Sequence, residues 1–155
     1  MTVNIPTRKE ALELFRRYNQ SESLFRHALA VEAVMKYMAR KNGEDEEKWG
    51  IIGLVHDLDY EMYPDQHCTM TEKILREEGW PDEYIRAVVS HGYGICSDIE
   101  PRSLLEKTLF AIDELTGLDD PRVERAADAE DLHRRAGLEA VGDRAVAAVP
   151  PRGGA

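Results

Sequence analysis

The segment that begins at Ser21 or Ser23 and ends at Asn42-Gly43 most constrains the fold, because it keeps apolar residues at helical spacing for more than four turns. Leu24, Val31 and Met38 mark one apolar stripe, and an Asn-Gly pair at its end supplies a helix stop. A helix of this kind must bury its stripe against other elements. The chain has no period-two strand pattern and no glycine-rich nucleotide motif, so the sequence predicts an all-α fold.

Further helices are predicted on both sides of this segment. Trp49, Ile51, Ile52, Leu54 and Val55 make the next helix apolar nearly all round, which indicates a central, buried position. In total the patterns predict a bundle of about six or seven helices. The other predicted helices run from Thr7 to about Tyr18, from about His67 to Glu78, from Trp80-Pro81, with the proline at the first helical position, to His91, and from Pro101 past Leu115.

Composition divides the chain into two parts. Residues 1–118 carry the apolar patterns and form the predicted helical core, which is long enough for one domain. Residues 119–155 are rich in Ala, Arg, Asp and Gly and lack aromatic residues, so they have little to bury. We therefore expect a loosely packed, partly disordered C-terminal extension.

Charge and cysteine content limit the partners. With 30 acidic and 20 basic residues the net charge is −10, which disfavours long nucleic acids but permits small anionic substrates at a bound cation. No apolar run is long enough to span a membrane, and the N-terminus lacks the apolar region of a secretory signal, so we expect a cytoplasmic protein. Cys68 and Cys96 are expected to be free thiols, with Cys96 structural.

Several imidazoles and carboxylates fall at helix ends or on apolar helix faces. A single histidine in such a place is more often a core residue that a backbone carbonyl satisfies. Several together, with carboxylates, would cost kilocalories each to bury without partners, and a shared cation satisfies them all. Donors of this type suit Fe, Mn, Zn, Co or Ni. The residues are His27, His56, His67, His91, Asp57 and Asp113.

The order His27, then His56-Asp57, then Asp113 resembles the H…HD…D motif of the HD superfamily of metal-dependent phosphohydrolases. The resemblance extends over roughly residues 11–118. The sequence around the doublet, Gly-Leu-Val-His-Asp-Leu-Asp, is similar to that of small bacterial HD-domain proteins, and Ala-Ile-Asp-Glu-Leu-Thr-Gly resembles their closing aspartate segment.

This resemblance implies an HD-domain helical bundle in which His27, His56, Asp57 and Asp113 hold one divalent metal ion. His67 and His91 stand where some subfamilies place ligands of a second ion, with Asp57 bridging the two. We favour two ions over one, because these two histidines otherwise need separate explanations.

The resemblance also implies that a metal-activated water attacks phosphorus, with Asp57 and His56 as the catalytic pair and Asp57 or a neighbouring carboxylate taking the proton. Asp59 and Tyr60 replace the Gly and Lys of the family's HD-hydrophobic-Gly-Lys form, so a role of that lysine does not carry over. Candidate substrate contacts, each of which is also explained by a solvated charge or a packed ring, are Arg26, Asp59, Tyr60 and Lys73.

Three functions fit these residues. The first is hydrolysis of a small phosphate ester, for example a nucleotide, with one or two divalent transition metal ions. The second is a di-iron oxygenase, since some HD-fold oxygenases resemble the same His/Asp set. The third is a non-catalytic module that binds a metal or a nucleotide. The sequence leaves the substrate, the native metal and the oligomeric state open.

Overall fold

The computed structural model describes residues 3–115, which form six α-helices and one short 3-10 turn. No strand occurs among these residues, apart from one isolated bridge between Tyr93 and Ser97. The all-α prediction is therefore confirmed. The helices are α1 (Arg8–Tyr18), α2 (Glu22–Lys41), α3 (Glu46–Val55), α4 (Thr69–Glu77), α5 (Asp82–Ser90) and α6 (Leu104–Leu115), and the 3-10 turn is Pro64–Gln66.

Side-chain caps fix the beginnings of four helices. Thr7 caps α1 and forms a reciprocal pair with Glu10, while Ser21 caps α2 and Asp45 caps α3. Ser103 caps α6: its Oγ accepts from the backbone N–H of residue 106, whose carboxylate accepts from the backbone N–H of Ser103. Each cap satisfies backbone donors that the first helical turn leaves without a partner.

Three predicted helix starts differ from the structure. The fourth helix begins at Thr69 and not at His67, because Cys68 has a φ of 71° and a ψ of −48°, which no α-helix accommodates. Pro81, the predicted first helical residue, lies at the N-cap of α5, so this helix begins one residue later, at Asp82. The last helix begins at Leu104 and not at Pro101, because Ser103 supplies the cap.

Helix α3 occupies the centre of the bundle, as predicted. Seven of its ten residues, from Trp49 to Val55, are buried, and it packs against α1, α2 and α5. The connection between α2 and α3 is short, so the two helices run antiparallel. A Cβ on Gly53 would lie 3.2 Å from the carbonyl oxygen of Val31. The glycine therefore allows a close approach that brings the end of α3 beside the beginning of α2.

No helix in the described part of the chain is both long and apolar enough to cross a membrane. The expected cytoplasmic location stays a prediction. The predicted C-terminal extension, residues 119–155, lies outside the described residues, so its looseness and the domain boundary at residue 118 also stay predictions.

Candidate metal centre

Four ligand atoms from three helices meet at the beginning of α2 and the end of α3. His27 lies near the start of α2, His56 and Asp57 follow the last residue of α3, and Asp113 projects from α6. We call these four residues the first donor group, and one ligand atom from each lies within 4.8 Å of the others. Nε2 of His56 is 3.1 Å from Nε2 of His27, from Oδ2 of Asp57 and from Oδ1 of Asp113.

A second donor group contains Asp57, His67 and His91, whose ligand atoms also lie within 4.8 Å of one another. His67 precedes α4, and His91 caps the end of α5. Nε2 of His67 is 3.3 Å from Oδ1 of Asp57, and Nε2 of His91 is 3.4 Å from the same oxygen. Asp57 therefore belongs to both groups, with Oδ2 facing the first and Oδ1 facing the second.

Hydrogen bonds at Nδ1 orient three of the imidazoles toward the centre. Nδ1 of His56 lies 2.6 Å from the carbonyl oxygen of Gly53, and Nδ1 of His91 lies 2.5 Å from that of Val88. Nδ1 of His67 lies 2.6 Å from a carboxylate oxygen of Asp59. Since each partner can only accept, each Nδ1 carries the proton and each Nε2 is left with a lone pair.

The Nε2 atoms of the four histidines face one another in two pairs. The Nε2 atoms of His27 and His56 are 3.1 Å apart, and those of His67 and His91 are 3.2 Å apart. Two lone pairs at such a distance repel unless a proton or a cation lies between or beside them. Asp57 and His56 are buried, so water cannot screen the charges. The residues thus fit one or two divalent cations with nitrogen and oxygen ligands.

In the metal-free chain, protons take the place of the cation. Burial alone would lower the pKa of His67, but hydrogen bonds to Asp57 and Asp59 outweigh burial and raise that pKa to about 10. Burial is likewise outweighed at His56, whose pKa is raised well above its ordinary value by Asp57 and Asp113. Burial would raise the pKa of the Asp57 and Asp113 carboxyls, but the facing imidazoles hold each pKa far below its ordinary value.

Asp59, which the sequence suggested as a substrate contact, is buried beneath the second donor group and contacts a ligand of that group instead. Its carboxylate is fully buried, accepts from Nδ1 of His67 at 2.6 Å and accepts from the backbone N–H of Thr71 at 2.9 Å. It therefore holds His67 in place and joins this ligand to the first turn of α4. The spacing between residues 59 and 67 follows no helical or strand period, so the sequence offers no sign of this contact.

The other candidate substrate contacts are exposed. Tyr60 is 41% exposed, and the centroid of its ring lies 5.5 Å from that of His67, so it borders the second donor group. Arg26 and Lys73 are exposed on α2 and α4, and their role as substrate contacts stays a prediction. Both cysteines are free, as expected; a hydrogen bond with Cys68 outweighs burial and lowers the pKa of Cys96 to about 6.

Comparison with known proteins agrees with this geometry. Ribonuclease Y of Oleidesulfovibrio alaskensis is 26% identical to the chain over 104 residues, which cover 65% of this chain but only 19% of the relative. No solved structure matches the chain. The family model for the HD domain matches residues 24–118, which contain every residue of both donor groups. The chain belongs to the HD domain family.

Proposed function

We propose that this chain is a metal-dependent phosphohydrolase that uses two divalent ions to hydrolyse a small phosphate ester. The position of Asp57 carries the proposal. Its Oδ2 is 3.1 Å from Nε2 of His56 and 3.2 Å from Nε2 of His27, while its Oδ1 faces His67 and His91. One carboxylate with an oxygen in each donor group can bridge two ions, which is the arrangement that suits in-line displacement at phosphorus.

Bound divalent ions would polarise a phosphoryl oxygen and lower the pKa of a water molecule. The protein's own part is to fix the ligands. His56, which the sequence placed in a catalytic pair with Asp57, is fully buried, so it would serve as a metal ligand and has no surface that could touch a substrate. A water activated at this centre would pass its proton to a carboxylate. Asp113 is better placed than Asp57, because both oxygens of Asp57 face donor groups and the Asp113 side chain is the more exposed, at 15% against 9%.

The surroundings of the centre favour a small substrate. Tyr60 offers an aromatic ring beside His67, where a nucleobase or another flat group can pack. Arg26 and Lys73 are exposed cations on the two helices whose starts lie beside the two donor groups, and they are our candidate contacts for phosphate oxygens. A nucleotide is the substrate class that uses all three side chains.

Hydrolysis of RNA is the second candidate. The relative named ribonuclease Y favours it, and hydrolysis of an RNA phosphodiester also requires attack of an activated water at phosphorus. Against a long RNA stands the net charge of −10, which repels a polyanion unless a local basic surface offsets it. The chain also covers only 19% of that relative.

The test compares wild type with Asp57→Asn in metal content and in hydrolysis of nucleotides, p-nitrophenyl phosphate and a short RNA. Each protein is assayed after chelator treatment and reloading with Mn, Fe, Co, Ni or Zn. The substitution keeps the shape of the bridging side chain but removes its charge. We therefore expect loss of at least one ion, and turnover slower than that of wild type by a factor of about 100 or more, which is the order of a lost transition-state group.

Asp65→Asn is the matched control, because Asp65 is exposed in the neighbouring 3-10 turn and belongs to neither donor group. It should hydrolyse and bind metal like wild type. Metal binding without hydrolysis of any ester would instead favour the non-catalytic module, and oxygen uptake by the iron-loaded protein would favour the di-iron oxygenase. Absence of bound divalent metal in wild type would overturn the proposal.

A further inference from the structure

A third set of metal ligands lies beside the second donor group and contains sulfur. One nitrogen of His67 and the Sγ atoms of Cys68 and Cys96 all lie within 4.8 Å of one another. Ligands of a tetrahedral zinc ion are separated by roughly 3.5–3.8 Å, given Zn–S and Zn–N distances of about 2.3 Å and 2.0–2.1 Å. A small inward movement of these side chains would therefore complete three positions of such a site.

The backbone is built around the two sulfur atoms. A Cβ on Gly92 would overlap Sγ of Cys68 and Sγ of Cys96, so the sulfurs occupy the space that any other residue would fill. The carbonyl oxygen of Gly92 accepts from the backbone N–H groups of Ile95, Cys96 and Ser97, at 2.9 to 3.1 Å, and this turn holds Cys96 over the glycine.

Cys68 is held in place from the other side. It is 1% exposed and is the only residue other than glycine with a positive φ in the described part of the chain. Its φ of 71° and ψ of −48° lie in a region that a residue with a Cβ rarely adopts, and such conformations persist only where the surroundings impose them. This conformation turns the chain from His67 into α4 and leaves the cysteine side chain facing Cys96.

We propose that His67, Cys68 and Cys96 bind a thiophilic cation such as Zn²⁺ or Cd²⁺, and that this cation excludes an ion from the second donor group. Two sulfur ligands and one imidazole select soft ions, whereas the carboxylate-containing second donor group also accepts harder ones. Competition follows because His67 is common to both sets. Nδ1 of His67 contacts Asp59 and Nε2 faces Asp57, so coordination of either nitrogen to the sulfur-bound cation displaces one of these contacts.

The sulfur site itself does not depend on the proposed hydrolysis, but its competition with a second catalytic ion does. The direct probe is Co²⁺, added to the full chain with a non-thiol reductant present. Sulfur ligation produces a charge-transfer band in the near ultraviolet that nitrogen and oxygen ligands do not. We expect the band in wild type and in His27→Gln, which alters only the first donor group, and its loss in Cys96→Ser.

A second measurement needs no variant. Alkylation of Cys96, followed by mass spectrometry, should slow about tenfold when Zn²⁺ is present at about ten times its dissociation constant, since the rate follows the unbound fraction. Mg²⁺ at the same concentration should leave the rate unchanged. Equal cobalt spectra for wild type and Cys96→Ser, with both thiols reduced and no protection by Zn²⁺, would overturn the sulfur site and leave the proposed hydrolysis standing.

Competition is measured with Mn²⁺. Cd²⁺ should displace Mn²⁺ from wild type at concentrations that leave Mn²⁺ bound to Cys96→Ser. Equal displacement from both proteins would overturn the competition. If hydrolysis fails with every metal while the cobalt band and the protection by Zn²⁺ are found, the proposed function is wrong and the sulfur site remains.

Discussion

We expect the substitution Asp59→Asn to weaken metal binding at the second donor group and to leave metal binding at the first nearly unchanged. In wild type the two carboxylate oxygens each accept one hydrogen bond, from Nδ1 of His67 at 2.6 Å and from the backbone N–H of Thr71 at 2.9 Å. Asparagine has one acceptor and one donor in the same shape. Because the site is fully buried, no water can correct a mismatch.

Either orientation of the amide fails at one partner. If its oxygen faces Thr71, its NH₂ faces Nδ1 of His67, which must then give up its proton, so that Nε2 becomes protonated and cannot bind metal. If its oxygen faces His67, two donors meet at the start of α4. Loss of such an orienting partner typically weakens metal binding by about 10–100-fold, which is about 1.4–2.7 kcal/mol.

The assay is a metal titration against a chromophoric chelator that resolves the two classes of site. We expect Asp59→Asn to weaken one class by about 10–100-fold and to change the other by less than about threefold. His91→Gln, which removes a ligand of the second donor group, identifies the class that is lost. Circular dichroism at 222 nm, at the helical minimum, checks that the variant is folded.

Asp45→Asn is the matched control. It makes the same change at the N-cap of α3, where asparagine caps as well as aspartate does, and it lies at the opposite end of that helix from His56. Metal binding should be unchanged in this variant. Two classes of wild-type affinity in Asp59→Asn would refute the view that Asp59 sets the proton position on His67.

Two further predictions concern stability. The pKa of His67 is about 10 in the folded chain and 6.5 in the unfolded chain. With a chelator present to remove metal, protonated His67 therefore contributes its full stabilisation below pH 6.5, and this contribution is lost as pH rises toward 10. Urea unfolding should show a fall of at most about 1.4 kcal/mol per pH unit, and saturating metal should abolish this slope; a flat metal-free profile would contradict it. In Gly53→Ala, the new Cβ meets Met35 at 3.0 Å and backbone of α2, which should cost about 1–3 kcal/mol. Gly50→Ala meets only the flexible side chain of Lys36 and should cost much less; equal losses would contradict the close-approach explanation.

Local sequence signals account for most of the fold. The predicted limits of α1, from Thr7 to about Tyr18, and the predicted end of α2 at Asn42-Gly43 agree with the structure, because helix ends depend on groups within a few residues. The predicted start of α4 was wrong because it depends on contacts between residues that are distant in the sequence. The unusual backbone of Cys68 depends on its packing, and periodicity carries no information about it.

The order of the motif residues in the sequence predicted which side chains form the site, and the structure places these side chains together. The sequence did not predict the partners that their other ring nitrogens contact. The sequence offered two explanations for a buried histidine, a backbone carbonyl or a cation, and His56 and His91 fit both, one at each ring nitrogen. His67 differs because its Nδ1 partner is a carboxylate. That difference could not be predicted, since Asp59 reaches His67 only after the intervening loop has folded back.

Folding and metal binding are coupled through the two donor groups. Their residues come from α2, from α6, from the ends of α3 and α5, and from the turn before α4, so the unfolded chain cannot hold them together. Any ion that binds only the folded chain must therefore stabilise it, by about 2.7 kcal/mol at a hundred times its dissociation constant. Asp57 contributes to both groups, so an ion held in one group would also orient a ligand of the other. The close packing of α2 on α3 at Gly53 thus serves the metal centre as well as the core.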